Sequence, residues 1–395
     1  MIVYFKKILK PIAIDVVFFI ALLLKTLFNI KLCSSVAGES IGGLTASCDL
    51  FIKKKILSPN KFTVFFILRN VCNKTLLNMF KKHIYIFESN LFRILLDISK
   101  EKLIKHDLFI NVKEDHHAYK EYDVLSPQLA LSSDQKKMGF SLILNEMGIT
   151  ENDWWVCFHV RSTEYLNNLH KGRDFSYHNY RDFSEESLHE GVKEVTKRGG
   201  YAILMSDKNK SPNFTNNDKV IQYNKNTFKS DFLDIFLSSE ARFFIGSTSG
   251  FTTVPKILGT PVGVCNNIPF NFLFNQKNSL LIYKKLFCLK SSKVLTYDEL
   301  LQRELFDIKK GWMLVDKDFF KNTLLKPLEN NSKEILGLVK DMFDIIERKN
   351  KGNIENNLQL QFKKHFFHNH KHIDYGGNIA PSFLELNKHL FVNLH

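Results

Sequence analysis

Two rhythms alternate along the chain. Short apolar runs bounded by polar or small residues predict buried strands: Ile30 to Ser35, Thr63 to Leu68, His83 to Phe87, Trp155 to Val160, Tyr201 to Met205 and Val220 to Tyr223. Between them lie stretches with apolar residues at helical spacing: Asn73 to Phe80, Leu91 to Lys105, Ser133 to Met147 and Phe232 to Ser239. Ser184, followed by Glu185 and Glu186, predicts a helix start, and Leu188, Val192 and Val195 continue on one face until Gly199-Gly200. Strands that alternate with helices predict an α/β fold with parallel sheets and helices on both faces. No internal repeat interrupts the pattern.

The stretch Phe243-Phe244-Ile245-Gly246-Ser247-Thr248-Ser249-Gly250-Phe251 carries this pattern to its sharpest point. Three apolar residues predict a short buried strand, and small or hydroxylated residues follow. Thr252 to Leu258 then predicts a helix with a Thr cap and Pro255 in its first turn, closed by Gly259. A strand, a small-residue loop and a helix start can form an anion site, because backbone N–H groups face a ligand and nothing bulky blocks it. The same pattern also fits a tight turn with no ligand.

The 395-residue length predicts two domains, and residues 1–150, 151–295 and 296–395 divide by rhythm. The polar stretch Thr150 to Asp153 marks the first boundary. The last hundred residues are expected to be helical, with Asn331 and Glu334 forming a capping box and Ile335, Leu338, Met342 and Ile346 on one face. A formal charge of +14 suits an anionic substrate, an anionic membrane surface or nucleic acid. The basic residues are dispersed and match no nucleic-acid-binding module, so no nucleic-acid partner is expected. Six cysteines without a C-x-x-C pair predict buried, reduced thiols.

Near the N-terminus, Lys6, Lys7 and Lys10 precede the apolar run Val16 to Leu24, which Asp15 and Lys25 bracket. The run is too short to span a bilayer. It predicts a helix packed on the core or lying on a membrane face. A cleaved signal ending near Ser35-Val36-Ala37 and a true anchor are the alternatives.

His159-Val160-Arg161 falls at the end of a predicted strand, the edge at which open α/β sheets bind ligands. Alternation puts His159 and Arg161 on one side. Arg161 presents a fork of donors suited to a diphosphate, and His159 can orient a phosphate or a sugar hydroxyl. A strand-end Arg and a core His are the plainer reading. Arg181, Asp207 after the Met205 strand, and Lys284 after the Ile282 strand are further donor-side candidates. His365, His368, His370 and His372 crowd together, but no carboxylate or thiol completes a metal set at fixed spacing, so a solvated basic surface is expected. The chain has no P-loop, no G-x-G-x-x-G, no H-E-x-x-H and no G-x-S-x-G. No aspartate pair at D-x-D spacing is found beside an apolar strand.

His159-Val160-Arg161, Tyr180-Arg181, Asp231 to Leu237, Arg242 to Gly246, Ser249-Gly250 and Gly259-Thr260-Pro261 resemble a bacterial glycosyltransferase family of surface-polysaccharide gene clusters. Ser40-Ile41-Gly42-Gly43-Leu44 is similar to its first block, and Ile379 to Glu385 to its last. More distantly, the H-x-R and the Gly-Ser-Thr-Ser loop are similar to motifs of GT-B fucosyltransferases. The family more often has Arg at the place of Ser40, His at the place of Gly43, and Arg-Met-Gly where this chain has Leu204-Met205-Ser206.

The resemblance implies a GT-B fold: two Rossmann-like domains facing a cleft, with C-terminal helices packing back on both. It implies transfer of a sugar from a nucleotide-activated donor to a growing surface polysaccharide, such as capsule or O-antigen, or to a lipid-linked saccharide. Arg161 and His159 become the catalytic candidates. Gly246, Ser247, Thr248, Ser249, Gly250, Phe251, Lys284, Arg181 and Asp207 fall on the donor side. Glu39, Gly42 and Gly43 fall on the acceptor side, with Glu39 and Asp207 as candidate bases. No metal or other cofactor is expected. The cytoplasm is the expected location, with peripheral inner-membrane contact. A binding or assembly protein of the same machinery, reduced in catalysis, is the alternative.

Overall fold

The computed structural model describes residues 9–161, 176–205, 214, 217–223, 228–347, 357–368, 370 and 377–391. They form two compact units. The first comprises Met1–Asp115 and Pro127–Ala130, the second His116–Ser126 and Leu131–His395.

The first unit holds three parallel strands, β1 (Ile30–Cys33), β2 (Thr63–Leu68) and β3 (Tyr85–Glu88), in the order β1-β2-β3. Phe109 makes a further parallel bridge to Leu32 of β1. The helices between them begin where polar side chains accept a main-chain amide. Ser40 accepts from Gly43 N, Asn73 from Leu76 N and Ser89 from Phe92 N. A helix at Lys10–Phe28 precedes β1 and ends at Asn29 in the left-handed conformation. β1 therefore lies between that helix and Ser35-Val36-Ala37.

The second unit is built on a seven-stranded sheet. Its strands are β4 (Trp155–Phe158), β5 (Tyr201–Leu204), β6 (Val220–Gln222), β7 (Phe243–Gly246), β8 (Val262–Asn267), β9 (Leu280–Tyr283) and β13 (Asn378–Ile379). The order is β13-β9-β8-β7-β4-β5-β6, and every pairing is parallel. From β4 the chain winds one way through β5 and β6. It then returns to the other side of β4 and winds outward through β7, β8, β9 and β13. This is the order of a doubly wound nucleotide-binding sheet, with its direction reversing between β4 and β7. Phe243, Phe244 and Ile245 are fully buried, each contributing about 1.5–3 kcal/mol by transfer from water.

Residues 133–147 behave differently from the expected boundary at 150. The helix Ser133–Met147 starts with a Ser132–Gln135 capping box and belongs to the second unit. Phe140 packs edge-on against Phe236 at 5.2 Å and Trp155 at 6.3 Å, and Lys136 pairs with Glu240 at 3.0 Å. Tertiary packing, invisible in the local pattern, places this helix.

Residues 296–395 also depart from an all-helical segment. The Asn331–Glu334 capping box is present, and the helix Ser332–Glu347 buries Ile335, Leu338 and Met342. Within residues 296–395, however, β12 (Leu325–Leu328) joins β10 (Lys285–Cys288) and β11 (Lys293–Val294) of the preceding segment in a separate antiparallel sheet, and β13 joins the main one. Two-residue strands such as β11 and β13 show no period to read. The histidine cluster is corrected in part. His365 meets Asp298 at 2.7 Å, and His370 is buried with Nε2 2.7 Å from the carbonyl of Phe306. His365 and His370 fasten the C-terminal segment, while His368 is exposed as expected. His372 lies outside the described residues. None of the six cysteines forms a disulfide, and five are buried.

One steric constraint yields a prediction. A Cβ at Gly139 would meet ring atoms of Phe236 at 2.2 Å. That ring is wedged among Phe140, Trp155 and Phe232. Alanine gains about 1 kcal/mol of helix propensity over glycine, but over-packing costs roughly 1–3 kcal/mol. Gly139→Ala is therefore expected to lower the denaturant midpoint. An unchanged or raised midpoint would mean the ring can move aside.

Candidate functional site

The reversal between β4 and β7 sets two loops side by side at the C-terminal edge of the sheet. The amide of His159, just past β4, donates to the carbonyl of Ile245 in β7 at 2.9 Å. The His159 ring then stacks on Phe251 of the opposite loop, centroids 5.0 Å apart. His159, Arg161 and the segment from Gly246 to Phe251 are thus brought together within one unit.

The loop is tied by its own hydroxyls. Thr252 Oγ1 donates to the carbonyl of Ser247 at 2.7 Å and lies 3.0 Å from Ser249 Oγ. Thr248 Oγ1 donates to Asn267 Oδ1 at 2.9 Å, and Thr253 Oγ1 to the carbonyl of Gly250 at 2.6 Å. Thr252 stands at the N-cap position expected from the sequence, but its side chain makes no capping bond. Its backbone is helical and its hydroxyl turns back into the loop. The helix that follows, Thr253–Leu258, has six residues, so its dipole contributes little. Gly246 is required for contact, since a Cβ there would meet Thr252 Oγ1 at 2.8 Å.

Charged side chains surround this edge. Arg161 is buried and bonds Asp182, with His178 O 3.4 Å away. Lys284, in the turn between β9 and β10, is buried and donates to the carbonyl of Asp182 at 2.6 Å. Burial, opposed by the carboxylates of Glu329 and Asp182, brings its ammonium down to about 8. Burial and the charge of Arg181 also push Arg161 below its ordinary value. His178 is held at about 4 by burial and then by Arg181 and Arg161, so it is neutral near pH 7. Three cations, Arg161, Arg181 and Lys284, thus share this edge with three carboxylates, Asp182, Glu329 and Glu185.

Several buried polar atoms at the same edge have no hydrogen-bond partner among the described residues: Arg181 Nε, Ser247 Oγ, Asn266 Nδ2, Asn267 Nδ2 and both carboxylate oxygens of Glu185. Ser247 ends the β7 side, Asn266 and Asn267 end β8, and Arg181 and Glu185 lie in the segment that follows β4. Orphaned polar groups are rare in protein interiors, and a polar ligand can satisfy them. The unpartnered donors Arg181 Nε, Asn266 Nδ2 and Asn267 Nδ2 suit the acceptor oxygens of a ligand, whereas the Glu185 carboxylate suits donors such as sugar hydroxyls.

Asp182, His178, Glu329, Glu185, Asn266 and Asn267 were not singled out from the sequence. The Asn-Asn pair was readable as two amides ending an apolar strand, and Asp182 as the neighbour of Arg181. Glu329 carried no local signal. Asp207 lies outside the described residues. Among the described residues no group of three His, Cys, Asp or Glu is placed to hold a metal. Asp316 and Asp318 do have D-x-D spacing, but they follow a 3-10 turn, and Asp316 Oδ1 accepts the amide of Asp318 at 2.8 Å.

In the first unit, Glu39 pairs with Arg69 at 2.7 Å. Gly42 and Gly43 lie in the first turn of the helix Ile41–Leu57. A Cβ at Gly43 would meet Ser40 Oγ at 2.8 Å and Ala37 Cβ at 2.9 Å. Ser40 and Gly43 therefore serve the helix start.

No protein-family model and no curated protein matches the chain. Solved structures similar to it include E. coli ADP-heptose LPS heptosyltransferase II, at 10% identity over 75% of this chain and 98% of that one, with a TM-score of 0.43. Another is a family 9 glycosyltransferase from Veillonella parvula, at 9% identity over 74% and 95%, with a TM-score of 0.39. A third is E. coli heptosyltransferase WaaC with ADP-2-deoxy-2-fluoro heptose, at 10% identity over 70% and 98%, with a TM-score of 0.33. Every one of these scores is under 0.5, so the functional reading rests on the chain's own geometry.

Lys284 gives a prediction with a definite sign. Its ordinary value is 10.5 and its folded value about 8. Between these limits the unfolded chain binds a proton that the folded chain has released, so stability rises with pH across that window. Relative to Lys284→Met, the wild type should gain stability from about pH 8 to about pH 10, on the order of 3 kcal/mol across the full window. Urea midpoints measured at several pH values check this. Parallel curves for the two proteins would overturn it.

Proposed function

We propose that the chain is a glycosyltransferase of GT-B type that uses a nucleotide-activated sugar. The observation that carries this reading is the cluster of Arg161, Arg181 and Lys284 at the point where the sheet reverses, beside a loop of small residues. An open α/β sheet binds its ligand at that point. In the transition state the sugar becomes oxocarbenium-like and the departing diphosphate gains charge. Arg161, Arg181 and Lys284 stabilise that charge from fixed positions, so they need no reorganisation during the reaction. His159, held flat against Phe251, positions the phosphate or a sugar hydroxyl. Fixed cations of this kind supply the charge that a metal supplies in other transferases.

The two parallel-stranded units match the number of domains in a GT-B enzyme. The second is assigned to the donor. The first is assigned to the acceptor, a surface polysaccharide or lipid-linked saccharide, with Glu39 as the candidate base. A cytoplasmic enzyme with peripheral contact at the inner membrane completes the reading. The distant likeness to fucosyltransferases belongs to it as well.

A second reading is a nucleotide-sugar-binding protein that does not transfer. The roles of Ser40 and Gly43 at a helix start favour it, because neither contributes a charged or titratable group to the acceptor side.

A thermal-shift panel with UDP, GDP, CMP and TDP tests the donor site. At least one nucleotide should raise the melting temperature by linkage, and Arg161→Ala should abolish the rise. In a donor-hydrolysis assay the same substitution should lower kcat by about 10²–10³. Nucleotide binding without turnover on any acceptor supports the second reading. No shift with any nucleotide defeats both.

A further inference from the structure

The helix Lys10–Phe28 is apolar on two opposite faces, and the fold uses only one. The inner face packs on the helix Asn90–Lys105 and on β1. Ala21 is 1% exposed, and Val17, Phe18 and Leu24 join it against Leu96, Leu103 and Leu108. On the outer face Ile12, Val16, Phe19, Ile20, Leu23 and Leu27 recur at helical spacing. Phe19 is 61% exposed, Leu23 58% and Leu27 67%. A solvated helix carries polar residues on such a face. An apolar stripe of this length marks an interaction surface.

Charge decides what covers it. Residues 1–115 contain eighteen Lys and Arg and nine Asp and Glu, a net +9 of the chain's +14. Part of that charge borders the helix. Lys102 lies over the Phe18 ring at 4.5 Å, and Lys10 begins the helix. A second copy of the chain would set +9 against +9. A negatively charged lipid surface accepts both the stripe and the charge.

The helix extends beyond the apolar run Val16 to Leu24, which by itself is too short to span, and its 19 residues are long and apolar enough to cross a bilayer by length and composition. Its attachments favour an in-plane position instead. Asp15 pairs with Lys102 at 2.6 Å and Lys25 with Asp107 at 2.9 Å, which fastens both ends to the first unit. Only Asn29 separates the helix from β1. Spanning would break both pairs and strip the inner face from its core.

We infer that the outer face of Lys10–Phe28 docks in the plane of an anionic bilayer, its apolar stripe among the acyl chains and the neighbouring lysines at the headgroups. The inference rests on the proposed use of membrane-linked acceptors only for its purpose, since the surface stands on its own geometry. Flotation of the full-length protein with vesicles tests it. The protein should float with phosphatidylglycerol-containing vesicles and far less with phosphatidylcholine alone, and high salt should weaken binding. The double substitution Phe19→Ser, Leu23→Ser should reduce flotation at least about tenfold. Its response to nucleotides should stay that of the wild type, which separates this test from the donor-site test. Wild-type protein that stays with the soluble fraction overturns the inference. So does protein that resists extraction at alkaline pH, as a spanning helix would, or a concentration-dependent dimer that the double substitution dissolves.

Discussion

The main-chain bond from His159 to Ile245 joins two strands that the chain visits more than eighty residues apart. Because β4 and β7 are neighbours, the residues that leave their C-terminal ends lie side by side, at the point where an open α/β sheet binds its ligand. Arg161 comes from one loop and Ser247 from the other. Neither loop can be moved without disturbing strands whose side chains are fully buried. The pairing therefore positions the chemistry, and its rigidity comes from Trp155 to Phe158 and Phe243 to Ile245, not from the loops themselves.

A site held this firmly carries an electrostatic cost. Taking a cation out of water costs several kcal/mol unless partners compensate. Asp182 serves twice, binding Arg161 through its carboxylate and Lys284 through its carbonyl. Even so, Lys284 comes down to about 8 and His178 to about 4. Burial is the first cause of both shifts, and the charge of Arg161 adds to it in both. An anion placed between Arg161, Arg181 and Lys284 would offset part of that cost, which is why the proposed donor site is argued from the cluster and not from any single contact.

The sequence disclosed the strands and their ends better than the relations among them. Trp155 to Val160 and Phe243 to Gly246 stand out as apolar runs, and His159, Arg161 and the Gly246–Gly250 loop follow them directly. That these two runs are adjacent is a long-range fact with no local signature. Glu329 shows the limit most clearly. It joins the site through the amide of Ser184, 145 residues away, and nothing in its own neighbourhood sets it apart from other surface carboxylates. The misplaced boundary at 150 has the same origin, for a helix pattern shows that one face is apolar but not which core receives it. Thr252 holds the expected cap position without the capping bond. The capping rule was sound, but the hydroxyl found a better acceptor in the loop it had to close.

The positive charge of this chain is of two kinds, and they act over different ranges. Arg161, Arg181 and Lys284 form a compact group in a sheet edge where solvent screening is weak, so they act on a ligand at a point. The +9 of residues 1–115 is carried mainly by exposed lysines, and salt limits its reach to about 8–10 Å. Charge spread in that way discriminates poorly among small anions, but it sums over an extended surface. A point charge suits a diphosphate and a spread charge suits a lipid face. The partition follows from burial, because composition alone gives a single number of +14 and does not say that it stands for two separate devices.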